Sequence, residues 1–236
     1  MKKKIVVFSG AGVSQESNIP TFRDTNDGLY LDQKIEDAFS IEGWRKDKAF
    51  VLDLHNQLRQ KVMLCEPNEA HKIIAQLEQF FDVTVITQNI DPLHEQAGST
   101  KVLHLHGEIF KSRSTLNHEI FECVTDINVG DKCPKGSQLR PHTVLFGEMP
   151  YNVQEAYDAL SEADILIIIG TSLSISYTIP LLGATSAYEI YYIDPNPSKD
   201  GIEWQLEKFG KIIPKYIKSK ASVGMTKLYK KLMKNG

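Results

Sequence analysis

The chain has 236 residues, 42% of them hydrophobic and 24% charged. At about 150 residues per domain that allows one or two domains. The length can bury a core without staples, and the composition excludes a disordered or collagenous chain. Net charge is -3, which speaks against binding a nucleic-acid backbone across the whole domain.

No apolar run reaches the length of a membrane span; Ile165 to Ile169 is the longest. The three lysines after Met1 are followed by only four apolar residues, too few for the core of a secretion signal. Three cysteines give no disulfide framework. A cytoplasmic location without membrane or nucleic-acid partners is therefore expected.

In chain order, Lys3 to Ser9 reads as a buried strand running into Gly10-Ala11-Gly12. Phe39 to Phe80 is mostly helical. Phe50, Val51, Leu54, Leu58 and Val62 line one face, Pro67-Asn68 breaks the pattern, and Ala70, Ile73, Ile74 and Leu77 start another helix. Val83 to Thr87 and Val102 to His106 read as strands. Residues 107 to 140 are polar with scattered apolar positions, the pattern of a small appended module. Thr143 to Phe146 reads as a strand and Val153 to Ala163 as a helix. Ile165 to Ile169 has the unbroken apolar run of a central parallel strand. Ile190 to Ile193 and Lys211 to Ile213 read as further strands, and Met225 to Met233 as a terminal amphipathic helix. Strands alternating with helices predict an α/β fold with a parallel sheet covered on both faces.

Polar clusters fall at the ends of the predicted strands. Gly10-Ala11-Gly12-Val13-Ser14 follows the first, at a turn where backbone can approach a pyrophosphate and a helix N-terminus can offer N–H groups. Position 15 is Gln, so the full dinucleotide fingerprint is missing, and a plain tight turn explains the pair equally well. In Thr21-Phe22-Arg23-Asp24 the arginine suits a phosphate and the phenylalanine a ring; a surface Arg and a core Phe are the alternative. Thr87-Gln88-Asn89-Ile90-Asp91 ends the second strand, and burying such groups is costly unless they meet a ligand or each other. A loop rich in turn formers is the other reading. In His104-Leu105-His106-Gly107, alternation puts both histidines on one face, and a strand-end His suits a general base or a structural hydrogen bond. Gly170-Thr171-Ser172 ends the fourth strand with hydroxyls and N–H groups. Four such clusters at strand ends point to a nucleotide-dependent enzyme.

The segments GAGVS, NIPTFRD, TQNID, HLHG, LRPHTVLFGEMP and GTS, in this order, resemble the sirtuins, NAD-dependent protein-lysine deacylases, from about Lys4 to about Leu228. The resemblance implies a Rossmann-like large subdomain (residues 1–27, 80–107 and 142–236). It also implies a smaller discontinuous one, helical over 28–79 and a zinc-module remnant over 108–141. It places Gly10, Ala11, Gly12 and Ser14 at the pyrophosphate, Phe22 and Arg23 in a cofactor loop, and Gln88, Asn89, Ile90 and Asp91 around the nicotinamide and its ribose. His106 becomes the catalytic base, assisted by Asn89. Gly170, Thr171, Ser172, Asp194, Pro195, Asn196 and Ala221 fall on the adenosine side. Val144, Phe146, Gly147 and Glu148 fall on the segment that pairs with an acyl-lysine peptide. The implied products are free lysine, nicotinamide and an O-acyl-ADP-ribose. An NAD glycohydrolase or ADP-ribosyltransferase on the same scaffold, and a non-catalytic NAD-binding protein, are the alternatives.

Three departures stand out. The family's two cysteine pairs are reduced to Cys133: Gly136 takes the place of its mate, and Ser114 and Asn117 take those of the other pair. A structural zinc is therefore expected to be absent. Ile109, Phe110, Ile120, Phe121 and Val124 are left to form an apolar cluster instead; Cys123 and Cys133 with His118 or His142 are the residues that could rebuild a metal site. In relatives that remove acidic acyl groups a Tyr-x-x-Arg pair binds the acyl carboxylate. His55 and Leu58 stand there, which implies an acetyl or other uncharged group, although a slip of one residue brings in Arg59. Asn18 replaces a usual glycine.

Overall fold

The structure, a computed structural model, describes residues 2–21 and 38–234. Six strands form a parallel sheet in the order β3-β2-β1-β7-β8-β9. They are β1 (Lys4–Ser9), β2 (Asp82–Thr87), β3 (Val102–His104), β7 (Ile165–Ile169), β8 (Glu189–Ile193) and β9 (Lys215–Ile217). The central strands β1 and β7 are apolar at nearly every position because both faces of the sheet are covered.

Alternate side chains divide between the two faces. Ile5, Val7, Ile165, Ile167 and Ile169 pack under α3 (Glu69–Leu77) and α8 (Ala221–Lys234) through Ile73, Ile74, Met225 and Leu228. Val6, Phe8, Leu166 and Ile168 face α5 (Val153–Ser161), α6 (Thr178–Leu182) and α7 (Asp200–Lys208) through Leu160, Leu182, Ile202 and Leu206.

Helices α1 (Ile41–Lys46) and α2 (Lys48–Met63) fill the first insertion. Asp47 caps α2 by accepting from the Phe50 N–H at 3.0 Å. Leu54, Leu58 and Val62 bury the predicted face against Ile19, Phe39, Leu93 and Ile109. Asn68 starts α3, its Oδ1 accepting from the Ala70 N–H at 2.9 Å while His71 Nδ1 accepts from the Asn68 N–H at 3.3 Å. A short α4 (Leu93–Gln96) follows β2.

Several elements differ from the sequence reading. Residues 107 to 140 are more ordered than their polarity implies. β4 (Gly107–Ser114) pairs with β5 (Ile120–Glu122) and with β6 (Leu139–Thr143) in an antiparallel sheet. The strand expected over 143–146 therefore lies earlier, and its Pro141 is tolerated because β6 pairs on one side only. The apolar cluster expected within this segment does not form. Ile109 packs against α2, while Ile120 and Val124 are exposed. Ile127 and Leu145 instead join Trp44, Val51 and Leu52. Asn56 of α2 locks the join, donating to the Ile127 carbonyl and accepting from its N–H, both at 3.0 Å. The strand expected at Lys211–Ile213 is β9, four residues later at its start, and α6 and α7 were not anticipated. No helix among the described residues is long and apolar enough to cross a membrane.

Candidate active site at the C-terminal edge of the parallel sheet

From β1 the chain builds outward through β2 and β3 on one side, and from β7 through β8 and β9 on the other. The crevice beyond the ends of β1 and β7 is thus a topological switch point, where open α/β sheets bind ligands. Two glycine loops meet there. The Gly10 N–H donates to the Ile169 carbonyl at 3.1 Å and the Gly12 N–H to the Gly170 carbonyl at 2.8 Å. The helix N-terminus expected after Gly12 is not built. Two short 3-10 turns, Ala11–Val13 and Gln15–Ser17, follow, and the N–H groups of Val13 and Ser14 bond back to Gly10 and Ala11. Asn18 closes the second turn at φ +64°, a left-handed position that asparagine tolerates better than most residues.

Below the loops lies a buried polar knot. Ser14 Oγ donates to Asp91 Oδ2 at 3.0 Å and accepts from Asn89 Nδ2 at 3.0 Å. His71 reaches the same oxygen through Nε2 at 3.4 Å. Its Nδ1 already accepts from Asn68, so Nε2 carries the proton. Burial holds His71 down to about 4 and raises the Asp91 carboxyl, against hydrogen bonds from the Leu93 N–H and Ser14. Beneath, His94 Nε2 contacts Ser9 Oγ at 2.9 Å, which donates to Thr87 Oγ1 at 2.9 Å.

The two histidines of His104-Leu105-His106 do different things, because β3 ends at His104 and the chain bends before β4. His104 Nδ1 donates to the Asn89 carbonyl and Nε2 contacts Glu95 Oε1, both at 2.8 Å. Burial opposes its charge, but the Glu95 carboxylate raises its pKa. His106 Nδ1 donates to the Gln88 carbonyl at 2.8 Å, leaving Nε2 as the acceptor, and Tyr177 donates its hydroxyl to that nitrogen at 2.6 Å. Burial lowers His106 to about 4, so the ring is neutral at pH 7.

This arrangement has close relatives. The Sir2 family model matches residues 10–177. The chain belongs to the Sir2 family. An NAD-dependent protein deacylase from Aggregatibacter actinomycetemcomitans is 46% identical over 200 residues, covering 84% of this chain and 96% of its own. A protein of the same name from Helicobacter pylori is 45% identical over 197 residues, covering 82% and 85%. A crystal structure of a Sir2 homolog–NAD complex superposes with a TM-score of 0.84 at 33% identity, covering 99% of this chain and 91% of that one.

The other expected residues have the following surroundings. Thr171 Oγ1 donates to Gln88 Oε1 at 2.8 Å, joining two strand ends. Ser172 contacts Ser174, Asp194 accepts from the Asn196 N–H, Pro195 and Asn196 are exposed, and Ala221 is buried at the start of α8. Ile90 packs beside the Leu58 cluster. Phe22 and Arg23 lie outside the described residues. The Val144 N–H donates to the His106 carbonyl and the Phe146 N–H to the Phe39 carbonyl, which ties residues 144–146 to the end of the β3 segment and to the chain before α1. Phe146 is exposed, and Gly147 sits at φ +97°. Glu148 is bound within the protein, its Oε1 contacting Arg113 at 2.7 Å and Arg140 at 2.8 Å. A hollow of about 430 Å³ beside Lys4, Asp82 and Lys101 lies at the opposite ends of the strands and contains none of these groups.

At the cysteine position the neighbours differ from those expected. Cys133 Sγ contacts Ser137 Oγ at 3.3 Å and Ser114 Oγ at 3.6 Å, and the two serines are 2.7 Å apart. Gly136 makes the turn at φ +84°, so the side chain facing Cys133 is that of Ser137. Hydrogen bonding from Ser137 holds the Cys133 thiol at about 7. Among the described residues no group of three or more His, Cys, Asp or Glu side chains is placed to hold a metal.

Sequence reading missed Tyr177, His71 and His94. Tyr177 follows the GTS motif by five residues but lies 71 residues from His106, and no local pattern joins them.

Proposed function

We infer that this chain is an NAD-dependent protein deacylase that removes an uncharged acyl group, acetyl foremost, from lysine side chains. The observation that carries this is His106: Nδ1 is fixed on the Gln88 carbonyl, so Nε2 is the acceptor of a neutral ring, at the strand edge that also carries the Ser14–Asn89–Asp91 knot. The residues present fit NAD. Two glycine loops close at the switch point so tightly that a Cβ at Gly12 would lie 2.8 Å from Gly170 Cα, and hydroxyls, carboxamides and a carboxylate converge below them. When bound, NAD supplies an activated ribosyl bond.

In this reading His106 Nε2 takes a proton from a ribose hydroxyl, the task for which a neutral imidazole is suited. Asp91 receives the nicotinamide carboxamide, with Asn89, Gln88 and Ile90 at the ribose and Ser14 fixing the carboxylate. Gly10, Ala11 and Gly12 would hold the pyrophosphate, and Phe22 and Arg23 are assigned to the cofactor loop. Gly170, Thr171, Ser172, Asp194, Pro195, Asn196 and Ala221 line the adenosine side. Val144, Phe146 and Gly147 accept the peptide, held in place by Glu148. The sheet with residues 1–27, 80–107 and 142–236 is assigned to the large subdomain and 28–79 with 108–141 to the small one, except that α3 within 28–79 packs under the sheet.

The preference for an uncharged acyl group rests on α2. Leu58 is buried among Ile19, Phe39 and Leu93. His55 is buried, with Nδ1 on the Val51 carbonyl and Nε2 on Thr143. Arg59 donates through Nε to the Ile109 carbonyl and through Nη1 to Asn56, facing the second insertion. The Ser114–Cys133–Ser137 cluster fits no structural zinc, which takes four Cys or His ligands.

The test is incubation with NAD and acetyl-lysine or succinyl-lysine peptides, with mass spectrometry of peptide and nucleotide. Deacetylated peptide, nicotinamide and O-acetyl-ADP-ribose should appear together, and folded His106→Ala protein should form none. Asp91→Asn should slow nicotinamide release. Nicotinamide released equally fast without peptide would replace this reading with a glycohydrolase.

A further inference from the structure

The acceptor nitrogen of His106 already has a partner. Imidazole Nε2 has one lone pair in the ring plane and takes one strong hydrogen bond. Tyr177 Oη lies 2.6 Å from it. The rings are perpendicular with centroids 5.9 Å apart, so the contact is made by the hydroxyl and not by stacking. A second hydroxyl cannot use Nε2 while the phenol holds it.

We propose that Tyr177 is a placeholder on the base, its hydroxyl occupying the proton-accepting nitrogen of His106 until a ribose hydroxyl displaces it. This rests on the assignment of His106 as the base. The placement of Tyr177 suits exchange. It stands at the end of the loop after β7, immediately before the five-residue α6. Thr178 anchors the loop, its Oγ1 reaching the Ile175 carbonyl at 2.7 Å and the Leu173 carbonyl at 3.3 Å. The Tyr177 ring packs against the core on the Phe8 and Ile168 face of the sheet, and its hydroxyl reaches His106. A second partner is at hand. The Gln88 side chain, held by Thr171, opposes the upward push of burial on the Tyr177 hydroxyl and so lies close to it. A hydroxyl displaced from His106 has this carboxamide beside it as a new partner. Among the described residues no charged side chain perturbs His106, which burial lowers against the Gln88 carbonyl. The phenol thus helps to keep the ring neutral and oriented as well as covered.

The test is Tyr177→Phe, which keeps the ring and removes the hydroxyl. With ¹⁵N-labelled histidine, the His106 Nε2 resonance of the substituted protein should move toward that of a free acceptor nitrogen. By calorimetry, Tyr177→Phe should bind ADP-ribose about three- to tenfold more tightly, the worth of one neutral hydrogen bond no longer broken. In a His106→Ala background the same substitution should leave ADP-ribose affinity unchanged. An unmoved Nε2 resonance, or equal or weaker ADP-ribose binding with His106 present, overturns the placeholder role. A tenfold fall in kcat without tighter binding also overturns it, because the hydroxyl would then be needed during turnover. If neither protein binds ADP-ribose, both this inference and the NAD-dependent reading fall. Binding and deacylation that persist unaltered by the substitution remove the inference alone.

Discussion

Gly12 and Gly170 touch backbone to backbone, the N–H of one donating to the carbonyl of the other at 2.8 Å. A Cβ on Gly12 would lie 2.8 Å from Gly170 Cα, and one on Gly170 would lie 2.3 Å from the Val13 nitrogen. Gly170 also has φ +58°. This contact joins the ends of β1 and β7 at the switch point.

Gly170→Ala should therefore cost about 2 kcal/mol or more, combining a left-handed backbone with a collision. Gly210→Ala is the control: φ is +65° but nothing lies within 4 Å of the added carbon, so only the conformational cost of about 1 kcal/mol applies. Urea unfolding of both variants measures the difference, and equal losses would remove the steric part of the argument.

Turnover should be flat from pH 7 to pH 6. Burial holds His106 at about 4, so its Nε2 stays unprotonated across that range. A base titrating at the ordinary histidine value of about 6.5 would lose about two-thirds of its active form over the same interval. A kcat/KM profile with saturating NAD decides between them.

Stability should fall on acidification. Burial holds His55, His71 and His142 at about 4 as well, and His94 well below the usual value. The unfolded chain binds protons near 6.5 that the native state refuses. The stability these rings lend is thus fully present above that value and is lost as pH falls toward 4. His104 has the opposite sign: raised by Glu95, it contributes below about 6.5 and loses that contribution as pH rises through its native value. The depressed rings outnumber it. The urea midpoint should drop from pH 7 to pH 5, with His55 alone accounting for about 2 kcal/mol.

Glu148→Gln should destabilise the protein by about 2 kcal/mol. Its carboxylate contacts Arg113 and Arg140, each 8% exposed, and accepts the Leu145 N–H at 2.8 Å. Neutralising it leaves two buried guanidinium groups facing each other. The cost stays below that of a fully buried pair because Glu148 is 21% exposed. An unchanged urea midpoint would show that water already screens the two arginines.

Chelator should leave the melting temperature unchanged. Ser114, Cys133 and Ser137 hold this corner by contacts among themselves, and Asn56 fixes the neighbouring loop through Ile127. Metal analysis of untreated protein should find no stoichiometric zinc. A zinc signal abolished by Cys123→Ser with Cys133→Ser would instead establish a rebuilt site.

The sequence alone determined the parallel sheet and most of the groups on its edge. Ile165–Ile169 is apolar without interruption because neighbouring strands and helices exclude water from both faces, and a strand of that kind leaves its signature in consecutive residues. The polar clusters at 10–14, 87–91, 104–107 and 170–172 are legible because each follows a mostly apolar stretch, uninterrupted only before 170. The tertiary structure decided what those clusters touch. It gave the Ser14 hydroxyl to Asp91 and Asn89, set Ser137 and not Gly136 against Cys133, and bent the chain after His104 so that the two histidines serve different partners. It also brought Tyr177 across 71 residues to the one open nitrogen of His106. Such contacts depend on how β2, β3 and β7 are placed beside one another. A hydroxyl or an imidazole spends its hydrogen bonds on whatever folding places within 3 Å, and no periodicity along the chain records that choice.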